Sequence, residues 1–281
     1  MSSLSLRAGK SVLGGHSLKR LLGKGSFGHV WESEGPHGEG LALKFIRCGG
    51  SDLAAPHEVR NILSVRDLQH PHLIRVDRVW AERGYIVVVM ELADGSLQQL
   101  SAICQHDYAS PMSPDYVCYY LSQAADALDF LNTPQHRIGG NRVGIQHRDI
   151  KPSNLLVQGE TVKLCDFGLA CTLGSTEVPQ RPAGSIAYAA PEVFQGLLSR
   201  WSDQFSLAVS YCELRGGRRP FANLPATFGT GYVHPEPDLD MLPADERPII
   251  ARGLARDPWN RWNSCGELML HLNRVAGQKT A

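Results

Sequence analysis

The chain has 281 residues, 43 % of them hydrophobic, enough to bury a substantial core. Its 28 Lys and Arg balance 28 Asp and Glu, which removes the global basic field that a nucleic-acid partner calls for. Seven cysteines without a C-x-x-C pair argue against a zinc site or disulfide frame, and no apolar run approaches the roughly 20 residues of a membrane span.

Residues 1–19 lack the apolar stretch of a signal peptide. Leu22-Gly23-Lys24-Gly25-Ser26-Phe27-Gly28-His29-Val30 then gives G-x-G-x-x-G-x-V, a hairpin whose glycines let the backbone approach a ligand closely. The apolar run Leu41-Ala42-Leu43-Lys44-Phe45-Ile46 predicts a strand carrying one lysine. From Pro56 to Leu68, Val59, Ile62 and Leu63 recur at helical spacing, with Glu58 near the start and Asp52 and Asp67 flanking. Tyr85 to Glu91 predicts a buried strand, and Asp94-Gly95-Ser96 a linker. Ser113-Pro114-Asp115 opens a helix whose buried stripe is Val117, Leu121, Ala124, Ala125, Leu128 and Leu131. An insert from Thr133 to Gly144 precedes His147-Arg148-Asp149-Ile150-Lys151-Pro152-Ser153-Asn154, and Asp166-Phe167-Gly168 follows. Gly184 to Glu192 ends in Ala-Pro-Glu, Leu224 to Pro248 is dense in Pro, Gly and Asp, and Arg261 lies in a late Asp-Pro-Trp-Asn-Arg stretch. No internal repeat or low-complexity tract is visible.

Taken together, the glycine loop, the strand lysine, His-Arg-Asp, Asp-Phe-Gly and Ala-Pro-Glu occur in one order. They make the chain resemble the eukaryotic-like (Hanks-type) serine/threonine protein kinases, from about Leu18 to about Leu272, with an insert of bacterial character. The resemblance implies an α+β, bilobal kinase fold: an extension over 1–17, a small antiparallel β-rich lobe with one main helix over 18–90, and a hinge over 91–96. A larger, mainly helical lobe over 97–275 and a tail over 276–281 complete it, with no second domain.

It further implies transfer of the γ-phosphoryl of ATP to protein Ser/Thr hydroxyls, a reaction that rests on positioning and charge neutralisation. Asp149 is then the base, Lys151 the cation near the γ-phosphate, Lys44 the α/β-phosphate cation and Glu58 its partner. Asn154 and Asp166 would hold Mg²⁺, with Mn²⁺ as an alternative. ATP would lie on Leu22, Gly23, Lys24, Gly25, Ser26, Phe27, Gly28, Val30, Ala42, Lys44 and Leu156, with Met90 as gatekeeper and backbone from Glu91 to Ala93 meeting the adenine. Glu192 would pair with Arg261, Asp203 would cap its helix and anchor the catalytic loop, and Ser185 with Lys151 fits serine/threonine specificity. Arg148 suggests an activation segment ordered by phosphate, with Thr172, Ser175 and Thr176 as acceptors and a homodimer for trans-autophosphorylation. The expectation is a cytoplasmic protein without a nucleic-acid or membrane partner. A nucleotide-binding pseudokinase would lack one of Lys44, Asp149, Asn154 or Asp166; an antibiotic-modifying phosphotransferase would lack the glycine loop and Ala-Pro-Glu.

Overall fold

The computed structural model describes residues 6–25, 28–48, 54–138, 140–173, 185–221, 224 and 233–277. Ser26, Phe27, Ser175 and Thr176 from the sequence reading lie outside these residues, as does Gly184. The N-terminal part is an antiparallel sheet of β1 (Ser11–Val12), β2 (His16–Gly25), β3 (Gly28–Glu34), β4 (Gly40–Arg47), β5 (Val76–Glu82) and β6 (Tyr85–Glu91), ordered β1-β2-β3-β4-β6-β5. Helix α1 (Ala54–Val65) joins β4 to β5. It starts two residues before the predicted Pro56, because a proline in the first helical turn breaks no intrahelical bond.

The period-two alternation of β4 decides which side chains meet the site. Leu41, Leu43 and Phe45 point into a cluster with Leu18, Trp31, Val87 and Val89. Ile46, on the opposite face, packs with Ile62 of α1 and Val88 of β6. Lys44 shares that second parity and stands opposite Val30 on β3 and Val88 on β6, so the ladder aims its ammonium toward α1.

Asp94-Gly95-Ser96 is more ordered than the linker that the sequence suggests. Gly95–Ser96 forms β7, pairs with β11 (Leu155–Gln158), and delivers Ser96 as the N-cap of α2 (Leu97–Tyr108). Gln99 reaches back to the Ser96 N–H, a capping box that fixes how the chain enters the second lobe. Helix α3 (Pro114–Asn132) begins at Ser113 with Pro114 in its first turn, and all six predicted stripe residues are buried. The 133–144 insert is a hairpin, β8 (His136–Ile138) with β9 (Asn141–Val143), turning through Gly140 at φ 84°.

Strands β10 (Ile145–Gln146), β11, β12 (Thr161–Leu164) and β13 (Cys171–Thr172) follow, with β10 paired to β13 and β11 to β12. Helices α4 (Ser202–Gly216), α5 (Arg247–Gly253) and α6 (Cys265–Gly277) complete the larger core around the fully buried α3 stripe. Among the described residues, no helix is long and apolar enough to cross a membrane.

Candidate active site

The β2–β3 hairpin brings Gly25 opposite Gly28. At Gly28, φ is 152° and a Cβ would run into the Phe45 carbonyl of β4, so glycine is required there for packing against the next strand. A Cβ at Gly23 would meet nothing, which leaves that stretch of backbone open to a ligand. Leu22 and Lys24 are exposed, Val30, Met90 and Leu156 are half-buried, and Ala42 is buried opposite Met90 in the β4–β6 ladder.

At the end of β6, the Glu91 N–H is taken by the Arg75 carbonyl at 3.2 Å, and its carboxylate accepts from the Arg75 N–H and pairs with Lys163 at 3.3 Å. The Glu91 N–H is therefore spent within the protein. The Ala93 N–H and carbonyl have no protein partner among the described residues.

Lys44 joins three elements. Its Nζ lies 2.6 Å from Glu58 Oε1 on α1 and 2.7 Å from Asp166 Oδ1 beyond β12. Asp52 lies outside the described residues; among the described acids in and around α1, Glu58 reaches the lysine, while exposed Asp67 lies past α1, paired with neighbouring Arg66. Burial works against the charge on Lys44, but the Asp166 and Glu58 carboxylates outweigh it and hold the ammonium above its ordinary range. Burial likewise pushes the Asp166 carboxyl up, and Lys44 more than reverses it, so Asp166 titrates below a usual aspartate. Glu58 goes the other way: its burial exceeds the help of Lys44 and raises its pKa.

Asp149 sits at the centre of a second network. Its Oδ1 accepts from the Ser185 N–H at 3.0 Å, and its Oδ2 accepts from Lys151 Nζ and Asn154 Nδ2, each at 2.8 Å. Lys151 also donates to Ser185 Oγ at 2.7 Å, tying the catalytic loop to the segment before Ala-Pro-Glu. Asn154 spends its amide hydrogens on the Asp149 carboxylate and carbonyl, leaving its Oδ1 unspent, while Asp166 keeps Oδ2. Two neutral or anionic oxygens on adjoining loops are the hard donors that a divalent cation prefers.

Asp203 differs in part from expectation. It does not cap α4, whose N-cap is Trp201 without a side-chain cap bond. The carboxylate lies in the first turn and accepts the backbone N–H of His147 at 2.8 Å and of Arg148 at 2.9 Å. These two bonds help hold Arg148 at φ 69°, a left-handed conformation that a non-glycine residue adopts at a cost of about 1–3 kcal/mol. Asp166 is left-handed too, at φ 67°, with Phe167 buried beside the His147 ring.

Glu192 and Arg261 form a bidentate pair, Nη1 to Oε1 at 2.9 Å and Nη2 to Oε2 at 2.8 Å, with side-chain exposures of 7 % and 0 %. Thr172, the one described candidate acceptor, is half-buried in β13 opposite Ile145. Asn61 on α1 was not anticipated: its Nδ2 donates to the Gly168 carbonyl at 2.8 Å. Its place three residues after Glu58, on the same helical face, is the signal that could have found it.

The protein kinase domain model matches residues 16–233. Among curated proteins, the chain is 31 % identical over 278 residues to serine/threonine-protein kinase PknJ of Mycobacterium tuberculosis, covering 92 % of this chain and 44 % of that one. It is 34 % identical over 225 residues to CBL-interacting protein kinase 4 of Oryza sativa, covering 76 % of this chain and 47 % of that protein. Serine/threonine-protein kinase PknF of Mycobacterium tuberculosis is 26 % identical, with 95 % and 57 % covered. The chain thus spans about half the length of the curated relatives it matches.

Proposed function

This chain belongs to the protein kinase family, and we propose that it transfers the γ-phosphoryl group of ATP to serine and threonine hydroxyls of proteins. The observation that carries this reading is the paired arrangement around Lys44 and Asp149. One ammonium is clamped between carboxylates from α1 and from Asp-Phe-Gly, and one carboxylate is held by a lysine, an amide and a backbone N–H.

The family uses ATP and a divalent cation; here the proposed cation is Mg²⁺, held by Asn154 Oδ1 and Asp166 Oδ2, where it would neutralise phosphate charge. Lys44 orients the α- and β-phosphates, and Glu58 keeps Lys44 in place. Asp149 accepts the proton of the incoming hydroxyl, and Lys151 offers its charge beside it. Gly23 to Val30 cover the phosphates, while Ala42, Met90, Ala93 and Leu156 line the adenine side. The Lys151–Ser185 hydrogen bond favours serine and threonine as acceptors, because it shapes the floor on which the acceptor chain rests. The same reading assigns the small lobe to 18–90, the hinge to 91–96 and the larger lobe to 97–275, and places the catalytic unit in the cytoplasm.

Incubation with γ-labelled ATP, Mg²⁺ and a generic basic substrate protein, followed by phosphoamino-acid analysis, tests the assignment. Label on serine or threonine supports it; label on tyrosine alone contradicts the specificity.

A further inference from the structure

Three successive carbonyls of the Phe167–Leu169 turn find three different partners. Phe167 O accepts the Ala170 N–H at 3.1 Å, Gly168 O accepts Asn61 Nδ2 at 2.8 Å, and Leu169 O accepts Arg148 Nη1 at 3.4 Å. The first bond is internal to the turn and the third comes from the catalytic loop. Asn61 is thus a direct polar tie from α1 to this turn.

Glu58 and Asn61 lie three residues apart, so one face of α1 carries both. Glu58 reaches Lys44, which in turn holds Asp166, and its Cγ would stand 3.0 Å from a Cβ at Gly168. Gly168 is therefore in contact with Glu58 on one side and hydrogen-bonded to Asn61 through its carbonyl. Asp166 meanwhile sits in a left-handed conformation, φ 67°, that a non-glycine residue adopts at a cost, so contacts that hold the turn after it also hold that conformation.

We infer that Asn61 is a positioning residue, a latch that locks the Asp166–Gly168 segment to α1 and so sets Asp166 for the metal and Lys44 for the phosphates. The inference rests on the proposed roles of Lys44 and Asp166. An isosteric Asn61→Leu variant removes the donor without adding charge, and Asn61→Gln keeps an amide on a longer arm. A neutral hydrogen bond carries a factor of about 3 to 10 in an equilibrium. The expected result for Asn61→Leu is a rise of that size in the Mg²⁺ concentration for half-maximal phosphotransfer and in the KM for ATP, with kcat at saturation within about twofold. Asn61→Gln restores most of both.

Hydrogen exchange without nucleotide supplies a readout that does not need turnover: peptide amides over 164–173 should exchange faster in Asn61→Leu by a similar factor. A variant that melts earlier but keeps wild-type Mg²⁺ and ATP dependence overturns the latch, as does Asn61→Gln behaving like Asn61→Leu. If the wild-type chain transfers no phosphate to any substrate, the proposed activity fails, and exchange alone decides the latch: unchanged exchange in Asn61→Leu overturns it.

Discussion

Replacing Arg261 with methionine should destabilise the chain by about 3–5 kcal/mol at neutral pH, because it strands the buried carboxylate of Glu192. In the wild type, Arg261 donates twice to Glu192, once to the Trp201 carbonyl at 3.1 Å and once, through Nε, to the Ala255 carbonyl at 2.9 Å. Its guanidinium also lies 5.1 Å from the centre of the Phe205 ring. After substitution Glu192 keeps only the hydroxyls of Ser199 and Ser202, at 2.9 and 2.8 Å, as side-chain donors. Two neutral hydrogen bonds cannot replace a full counter-charge in a site with 7 % exposure.

The sign of the pH dependence follows from the same pair. Burial pushes the Glu192 carboxyl up, but Arg261 outweighs it and brings the folded pKa below the ordinary 4.5. A depressed folded pKa contributes stability that is present above the unfolded value and lost as pH falls through the folded one. In Arg261→Met that support disappears and protonation relieves the stranded charge, so the gap between variant and wild type should narrow as pH falls below about 5. Urea unfolding at pH 7 and pH 4.5, with m unchanged, reads both quantities. A loss under about 1 kcal/mol at pH 7, or a gap that does not narrow, would refute the reasoning.

Gly168→Ala should weaken nucleotide binding by about threefold, because the added Cβ falls 3.0 Å from Glu58 Cγ and forces that side chain to shift against its contact with Lys44; fluorescence titration with an ATP analogue checks it. Gly28→Ala should lower stability by more than about 2 kcal/mol, since the Cβ meets the Phe45 carbonyl, while Gly23→Ala should stay within about 0.5 kcal/mol in a melting experiment without ligand. Ser185→Ala removes the acceptor of the Lys151 hydrogen bond and should reduce kcat about tenfold, whereas Ser185→Thr, which keeps the hydroxyl, should retain most activity. Asp203→Asn leaves one of the two backbone N–H groups of His147 and Arg148 without its acceptor. It should cost about 1–3 kcal/mol and lower kcat, read by unfolding and steady-state assays side by side.

The residues that the structure brings together were legible because each motif is short-range information: Lys44 is the one charge in the apolar run Leu41–Ile46, and Asp149, Lys151 and Asn154 share a single loop. That Glu58, and not Asp67, reaches the lysine depends on where α1 docks, which sequence spacing could only suggest. Asp203 was placed under the catalytic loop but read as a cap; its carboxylate turns away from its own helix because the N–H groups of His147 and Arg148 are the buried donors that need it. The insert gave no periodic signal, since β8 and β9 are three residues each and their register comes from a glycine turn. Asn61 carries only a positional signal, its place three residues after Glu58, because its partner is a backbone carbonyl over a hundred positions away, which leaves no mark on the identity of the accepting residue.

The most direct test of phosphoryl transfer by this chain compares purified wild type with Asp149→Asn and Lys44→Met, using γ-labelled ATP and Mg²⁺ with a basic substrate protein. Label on serine or threonine in the wild type should fall at least a hundredfold in Asp149→Asn while nucleotide binding persists, and both transfer and binding should weaken in Lys44→Met. Equal label in wild type and Asp149→Asn, or a wild type that binds ATP and transfers nothing, would contradict the account.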